Sequence, residues 1–268
     1  MISKSERLLI FRFLFSKKSD GYVSIFAWFS IIGISLGVAA IIIVMSVMNG
    51  FRIDLTNRII GLNSHLNIYS FDNEITNKQA DELILNIDNS FFYQHYKSIE
   101  TNGLIIKSNN SKGVMIKGYD AYDKNHYLFN SINMGALIQN PKSEILIGDS
   151  LANEMNLSVG AKVKIAIPKT DKTILGNIPR FKTLEVVGIF DLGLYEYDSN
   201  LIFLSSELVR KLLLYDEDIY NKIEFFTSSP NEIELFKNKV ELEISNLLLN
   251  FYSISWKDQN KTLINALK

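Results

Sequence analysis

Cysteine is absent from the 268 residues, which removes disulfides, thiolate nucleophiles and cysteine-based zinc or iron–sulfur sites together. The three histidines, His65, His95 and His126, are spread too far apart for metal-ligand spacing. There are only 4 prolines and 14 glycines, so loops should be few and each proline informative. No G-x-x-x-x-G-K-[ST] run occurs, so the chain lacks the loop that cradles ATP phosphates. Net charge is −1 with no basic face, which argues against nucleic acid as a partner. Acidic residues are scattered without a pair placed for acid/base work, and the reading is of a non-catalytic chain with no cofactor and no metal.

What is abundant is apolar residues, and they are unevenly spread. Between Asp20 and Arg52 no residue carries a charge. A membrane-spanning helix needs about 20 apolar residues, whereas a signal-peptide core has only about 7–15, so 21–51 reads as a transmembrane helix continuing beyond the bilayer at one end. Lys4, Arg7, Arg12, Lys17 and Lys18 precede the run, while only Arg52 and Arg58 follow it closely. The positive-inside rule then puts residues 1–20 on the cytoplasmic side, as an interfacial amphipathic segment, and everything after Phe51 across the membrane. Gly33 and Gly37 form a GxxxG step suited to helix packing in lipid. The same stretch matches a G-x-S-x-G nucleophile elbow letter for letter, but that elbow requires a strand–turn–helix with a histidine and an acid nearby, so it is rejected.

Residues 52–256 alternate strand-like and helix-like segments without regular βαβ order, an α+β pattern with room for two subdomains. Strands are expected at 65–71, 98–107, 113–119, 144–147, 162–167, 183–190, 201–204, 219–227 and 251–256. Helices are expected at 76–87, where Thr76 and Gln79 form a capping box, and at 149–155, 205–214 and 231–248. The fifteen residues 168–182 read as a long loop between two good strands. They hold half of the chain's prolines and present Ile174, Leu175, Ile178 and Phe181 with little core to join. A loop of that kind is a candidate partner-binding surface.

Three stretches carry a family likeness: Gly33-Ile34-Ser35-Leu36-Gly37-Val38-Ala39-Ala40, Ser46-Val47-Met48-Asn49-Gly50-Phe51, and Gly61 after Arg58-Ile59-Ile60. They resemble the first membrane helix of the LolC/LolE permeases of lipoprotein-releasing ABC transporters, within the wider MacB/FtsX-like group. Gly176-Asn177-Ile178-Pro179-Arg180 falls where LolC-type members carry a protruding hook. Tyr195-Glu196-Tyr197-Asp198-Ser199-Asn200 and Ser255-Trp256-Lys257-Asp258-Gln259-Asn260 resemble two further family stretches.

The resemblance implies a bacterial inner-membrane permease with a periplasmic domain of the MacB/LolC type. It also implies a set of partners: a cytoplasmic LolD-like ATPase, a second permease subunit (the same or a distinct one), membrane lipid, a lipoprotein substrate and a soluble LolA-like carrier. It assigns Pro168, Ile174, Leu175, Ile178, Pro179, Arg180 and Phe181 to the carrier-binding hook. Ala40, Val44, Val47, Met48 and Phe51 are assigned to lipoprotein acyl chains, and Gly33 and Gly37 to helix packing. Full family members have four membrane helices and this chain carries one, so it reads as an N-terminal part, with 257–268 leading toward a second span. The alternatives are a MacB/FtsX-like subunit that passes ATPase motion to another system, and a bitopic periplasmic sensor.

Overall fold

The computed structural model of the protein describes residues 3–14, 21–62, 64–122, 126–173 and 176–266. Two compact units result, Met1–Asn57 and Arg58–Lys268. The first holds helix α1 (Lys4–Leu14) and most of helix α2 (Gly21–Leu62). Helix α2 runs past the expected end at Phe51 because Arg52, Asp54 and Asn57 end the apolar run without ending the helical backbone. Within it, Ser24–Asn57 is long and apolar enough to cross a membrane.

The second unit contains strands β1 (Leu66–Ser70) and β2 (Ile75–Thr76), helix α3 (Asn77–Asn86), and strands β3 (Gln94–Lys107), β4 (Asn110–Tyr119), β5 (Ile132–Gly135) and β6 (Glu144–Gly148). Helix α4 (Asp149–Glu154), strands β7 (Lys162–Thr173) and β8 (Gly176–Phe190), helix α5 (Tyr195–Asn200), strand β9 (Leu201–Ser205) and helix α6 (Ser206–Leu213) follow. Strands β10 (Ile219–Tyr220) and β11 (Lys222–Phe226), helix α7 (Ile233–Asn246), strand β12 (Phe251–Ser255) and helices α8 (Trp256–Gln259) and α9 (Lys261–Ala266) complete it.

Six strands close on themselves in the order β3–β4–β9–β6–β8–β7, with β7 pairing back onto β3 through Leu104↔Ala166 to Ile106↔Lys164. Alternate side chains of these strands point inward and make one apolar core. Ile99, Ile105, Val114, Ile116, Ile145, Ile147, Val163, Ile165, Val186, Ile202 and Leu204 belong to it, together with Leu151 of α4 and Leu208, Val209 and Leu212 of α6. The first half of β3 pairs instead with β11, which continues through β1 to β12. On that flange α3 and α7 bury Leu66, Ile68, Leu83, Phe225, Phe236 and Val240. Gly148, where β6 meets α4, must be glycine: a Cβ there would lie 2.1 Å from the carbonyl oxygen of Asp198 in α5.

The capping box at Thr76 and Gln79 forms as expected. The expected strand 219–227 is two strands. At its break Asn221 Oδ1 accepts from the Glu100 N–H at 2.8 Å, and Asn221 Nδ2 donates to the Glu100 carbonyl at 2.8 Å. The amide side chain thus replaces a rung of main-chain pairing. Expected helix 231–248 opens as a 3₁₀ turn at Pro230–Glu232 and stops at Asn246.

Candidate docking hairpin, apolar helix and buried charge cluster

The sequence places a loop at 168–182, and the structure replaces it with strand. β7 and β8 pair from Lys162↔Glu185 to Thr173↔Gly176, with a bulge between Ile167 and Thr170. Up to Ile167↔Arg180 the two strands are part of the closed barrel. Beyond it, among the described residues, they pair with each other alone, a two-stranded arm whose ascending strand adds about 20 Å at ~3.3 Å per residue. The loop reading failed because Lys, Thr, Asp and Asn in this arm mask any alternation. Strand here is imposed by cross-strand hydrogen bonds continuing outward from a buried register. Ile174 and Leu175 lie outside the described residues, and of Pro168, Ile178 and Pro179 only the backbone is described.

Two hook residues are fully placed. Phe181 is 54% exposed. Arg180 is turned toward the body of the domain, where its Nη1 donates to the Lys211 carbonyl at 3.1 Å. That oxygen is one of the last four carbonyls of α6, which have no helical partner, so a cation there completes the helix end. Arg180 is thereby a clamp at the root of the arm, next to the bulge. Changing Arg180 to alanine should broaden the distance distribution between nitroxides at positions 177 and 110, read by pulsed electron spin resonance, with folding unchanged.

On α2, Gly33 and Gly37 face open space, with nothing within 4 Å of a Cβ built at either. Val44, Val47, Met48 and Phe51 are exposed. With Ala40 they recur at helical spacing on one stripe, the same one the two glycines occupy.

A site the sequence reading missed is a buried charge cluster on the outer face of the sheet. Lys222 Nζ lies 2.9 Å from Glu100 Oε2 and 2.9 Å from Glu224 Oε1, and Lys117 Nζ lies 3.3 Å from Glu224 Oε1. The Tyr119 hydroxyl donates to Glu224 Oε2 at 2.5 Å. Burial alone would raise the Glu224 carboxyl, but Lys117, Lys222 and the Tyr119 hydroxyl outweigh it and hold it far below the usual carboxylate range. Burial likewise opposes the charge on Lys222, but Glu224 and Glu100 hold its ammonium well above the ordinary lysine value. The signal was in the hairpin register: Glu100 and Lys117 are direct cross-strand partners once the turn is placed at Ser108-Asn109.

Between α2 and β1, the backbone N–H of Thr227 donates to His65 Nδ1 at 2.8 Å, so the ring's proton sits on Nε2 and is donated to the Ile60 carbonyl at 3.1 Å. Burial lowers the His65 pKa, so the stability it contributes is present above about pH 6.5 and is lost as pH falls below that value. Changing His65 to alanine leaves the buried Thr227 N–H unpaired. It should cost about 1–3 kcal/mol, read as a lower Tm, and should weaken the dependence of Tm on pH between 7.5 and 5.5.

The MacB-like periplasmic core domain model matches residues 27–241. The chain belongs to that family. The sequence relatives of this MacB-like chain are lipoprotein-releasing system transmembrane proteins. LolC of Neisseria meningitidis is 29% identical, covering 78% of this chain and 51% of the relative. LolC of Buchnera aphidicola from Acyrthosiphon pisum is 24% identical, covering 96% and 63%, and LolE of Haemophilus influenzae is 26% identical, covering 82% and 54%. These relatives agree with the LolC/LolE resemblance of the α2 motifs, and the chain spans between half and two thirds of their length. Among solved structures, the periplasmic region of MacB from Actinobacillus actinomycetemcomitans aligns with a TM-score of 0.48 at 14% identity, covering 78% of this chain and 95% of that one. The extracellular domain of the ABC-type transporter YknZ aligns with a TM-score of 0.47 at 12% identity, covering 71% and 99%.

Proposed function

We propose that this chain is a transmembrane subunit, or a fragment of one, of an ATP-driven lipoprotein-releasing system. It works in a bacterial inner membrane, with residues 1–20 cytoplasmic and residues 52–256 periplasmic. The observation that carries the reading is the β7–β8 arm. A barrel strand pair that extends well past its own sheet, with Phe181 exposed at its base, suits capture of a soluble partner more than transmission of force.

The stripe Ala40, Val44, Val47, Met48 and Phe51 offers acyl chains an apolar surface open to lipid. Each buried CH₂ is worth about 0.8 kcal/mol, so lifting two or three chains out of a bilayer needs an external energy source. This chain has no phosphate-binding loop, and a cytoplasmic ATPase would supply that energy from outside it. Gly33 and Gly37 would seat a helix of a second permease subunit. The arm then passes the lipoprotein to a periplasmic carrier, with Pro168, Ile174, Leu175, Ile178, Pro179 and Phe181 in contact and Arg180 holding the arm's root.

The test is lipoprotein release from proteoliposomes holding this chain with its membrane partners, its ATPase and a soluble acyl-carrier. The reading expects ATP-dependent appearance of lipoprotein in the soluble fraction, reduced at least tenfold by Val47→Asp or Met48→Asp. Release that is indifferent to both changes, and to the presence of this chain, contradicts it.

A further inference from the structure

Helix α1 carries its own start signal. The Ser3 backbone N–H donates to Glu6 Oε2 at 2.8 Å, and the Glu6 N–H donates to Ser3 Oγ at 3.3 Å, a reciprocal capping box. Its 11 residues are nonetheless marginal as a free helix in water. Leu8, Leu9, Ile10 and Phe11 are all exposed, so water alone leaves a short helix with its apolar side chains in solvent. A medium that takes up such side chains lies close by. The residues between Leu14 and Gly21 reach at most about 20 Å, and Tyr22 and Trp28 stand at the start of the membrane-spanning stretch, residue types that settle at a membrane–water boundary.

Charge decides which surface fits. Residues 1–20 hold Lys4, Arg7, Arg12, Lys17 and Lys18 against Glu6 and Asp20, a net +3 in a chain of net −1. The Glu6 carboxylate is engaged by the capping box, at the end of α1 where the helix dipole favours it. Helical spacing puts Lys4 and Arg12 on one stripe with Arg7 beside it, and puts Leu9, Ile10, Phe13 and Leu14 on the opposite arc. Leu8 and Phe11 fall between the cations, where long Lys and Arg stems lie along apolar neighbours while their heads reach polar surroundings. A helix of this pattern lies in the interface plane, its apolar arc at the acyl boundary and its cations among the headgroups. Headgroups without net charge give those cations no net attraction, whereas an anionic leaflet favours each by about fivefold. The short link keeps α1 near the bilayer, which favours lipid over a partner that must be recruited.

We propose that α1 is a binding element for acidic phospholipid: its apolar arc enters the interface, and Lys4, Arg7 and Arg12 hold anionic headgroups. The site goes beyond the lipoprotein-release reading and does not depend on it. Acidic lipid thereby becomes a ligand of this chain, and the docking of α1 a report on the charge of the leaflet around it.

The chain has no cysteine, so Leu9→Cys gives a single attachment point for an environment-sensitive fluorophore on the apolar arc. The labelled full chain is reconstituted in vesicles of phosphatidylcholine alone, or of phosphatidylcholine with a minority of phosphatidylglycerol, and quenching by uncharged acrylamide is read in each. The fluorophore should be shielded in the phosphatidylglycerol vesicles and quenched in the others. Raising the salt concentration should reverse the shielding, because screening shortens the reach of surface charge. Lys4→Gln, Arg7→Gln and Arg12→Gln together should shift the ratio of docked to free α1 by on the order of a hundredfold. Arg7→Lys with Arg12→Lys, which keeps the charge, should leave it near its original value. Equal shielding in both lipids, untouched by salt, would mean apolar insertion alone and would overturn the proposal. Quenching in both lipids overturns it as well, and its relief on adding a soluble partner would give this face to that protein.

Discussion

A chain whose arm is cut back, with Ile167 joined to Arg180 through an Asn-Gly turn, should fold normally and lose transfer of lipoprotein to a soluble carrier. Folding should survive because the barrel's register is held below the cut: Lys162↔Glu185 to Ile167↔Arg180 remain paired, Ala166 still pairs with Leu104, and Ile165 and Leu184 stay in the core. A two-residue turn with positive φ is compatible with the strand twist at that point. The barrel core residues named above all lie outside the cut, so the Tm should move by only a few degrees, the scale of a surface change. Transfer should fall far more. If the arm carries the central contacts, losing about 2–4 kcal/mol of them weakens the carrier complex ~30- to 1,000-fold. The check is carrier-bound lipoprotein after ATP addition, measured beside ATP hydrolysis. Hydrolysis should continue, since the arm is remote in sequence from the membrane helix.

The second large effect is on stability. Glu224→Gln keeps the size of the side chain and removes its charge, leaving Lys117 and Lys222 buried with Glu100 as the remaining carboxylate partner in contact. Breaking a buried ion pair from one side costs about 3–5 kcal/mol, which for a domain of this size is a fall in Tm of roughly 10 °C or more. Adding Lys117→Met should restore part of the loss, because it removes the cation that Glu224 chiefly neutralises. The pH dependence has a definite sign. A carboxyl whose folded pKa lies below its unfolded value contributes stability that is fully present above about pH 4.3 and is lost as pH falls toward the folded pKa. The unaltered chain should therefore lose stability on acidification below that pH more steeply than Glu224→Gln, in thermal melts taken from pH 6 to pH 3.

Local rules succeeded where one short segment decides its own structure. Thr76 with Gln79 caps α3, the uncharged run makes α2, and short apolar stretches such as 144–147 and 201–204 are strands. They failed where a distant partner decides. Strand β5, Ile-Asn-Met-Gly, is short and mostly exposed, and exists because it pairs with residues 188–190 of β8. Helix α5 is six residues long with an acidic start and no side-chain cap; Gly148 beneath it makes room for its backbone. The split of 219–227 depends on the contact of Asn221 with Glu100, and closure of the barrel depends on β7 meeting β3 across some sixty residues of chain. The charge cluster was hidden for the same reason. Lys222 and Glu224 look like a solvated strand face until β1, β3 and β4 are laid beside them, when both prove almost fully buried.

The central claim is that the β7–β8 arm docks a soluble periplasmic carrier. The direct measurement is photo-crosslinking in intact cells from p-benzoylphenylalanine at Phe181, followed by identification of the adduct. The account predicts a soluble acyl-binding protein of the periplasm, with a yield that rises while lipoprotein is being released. Adducts with membrane neighbours alone, at a yield that does not respond to release, would contradict it.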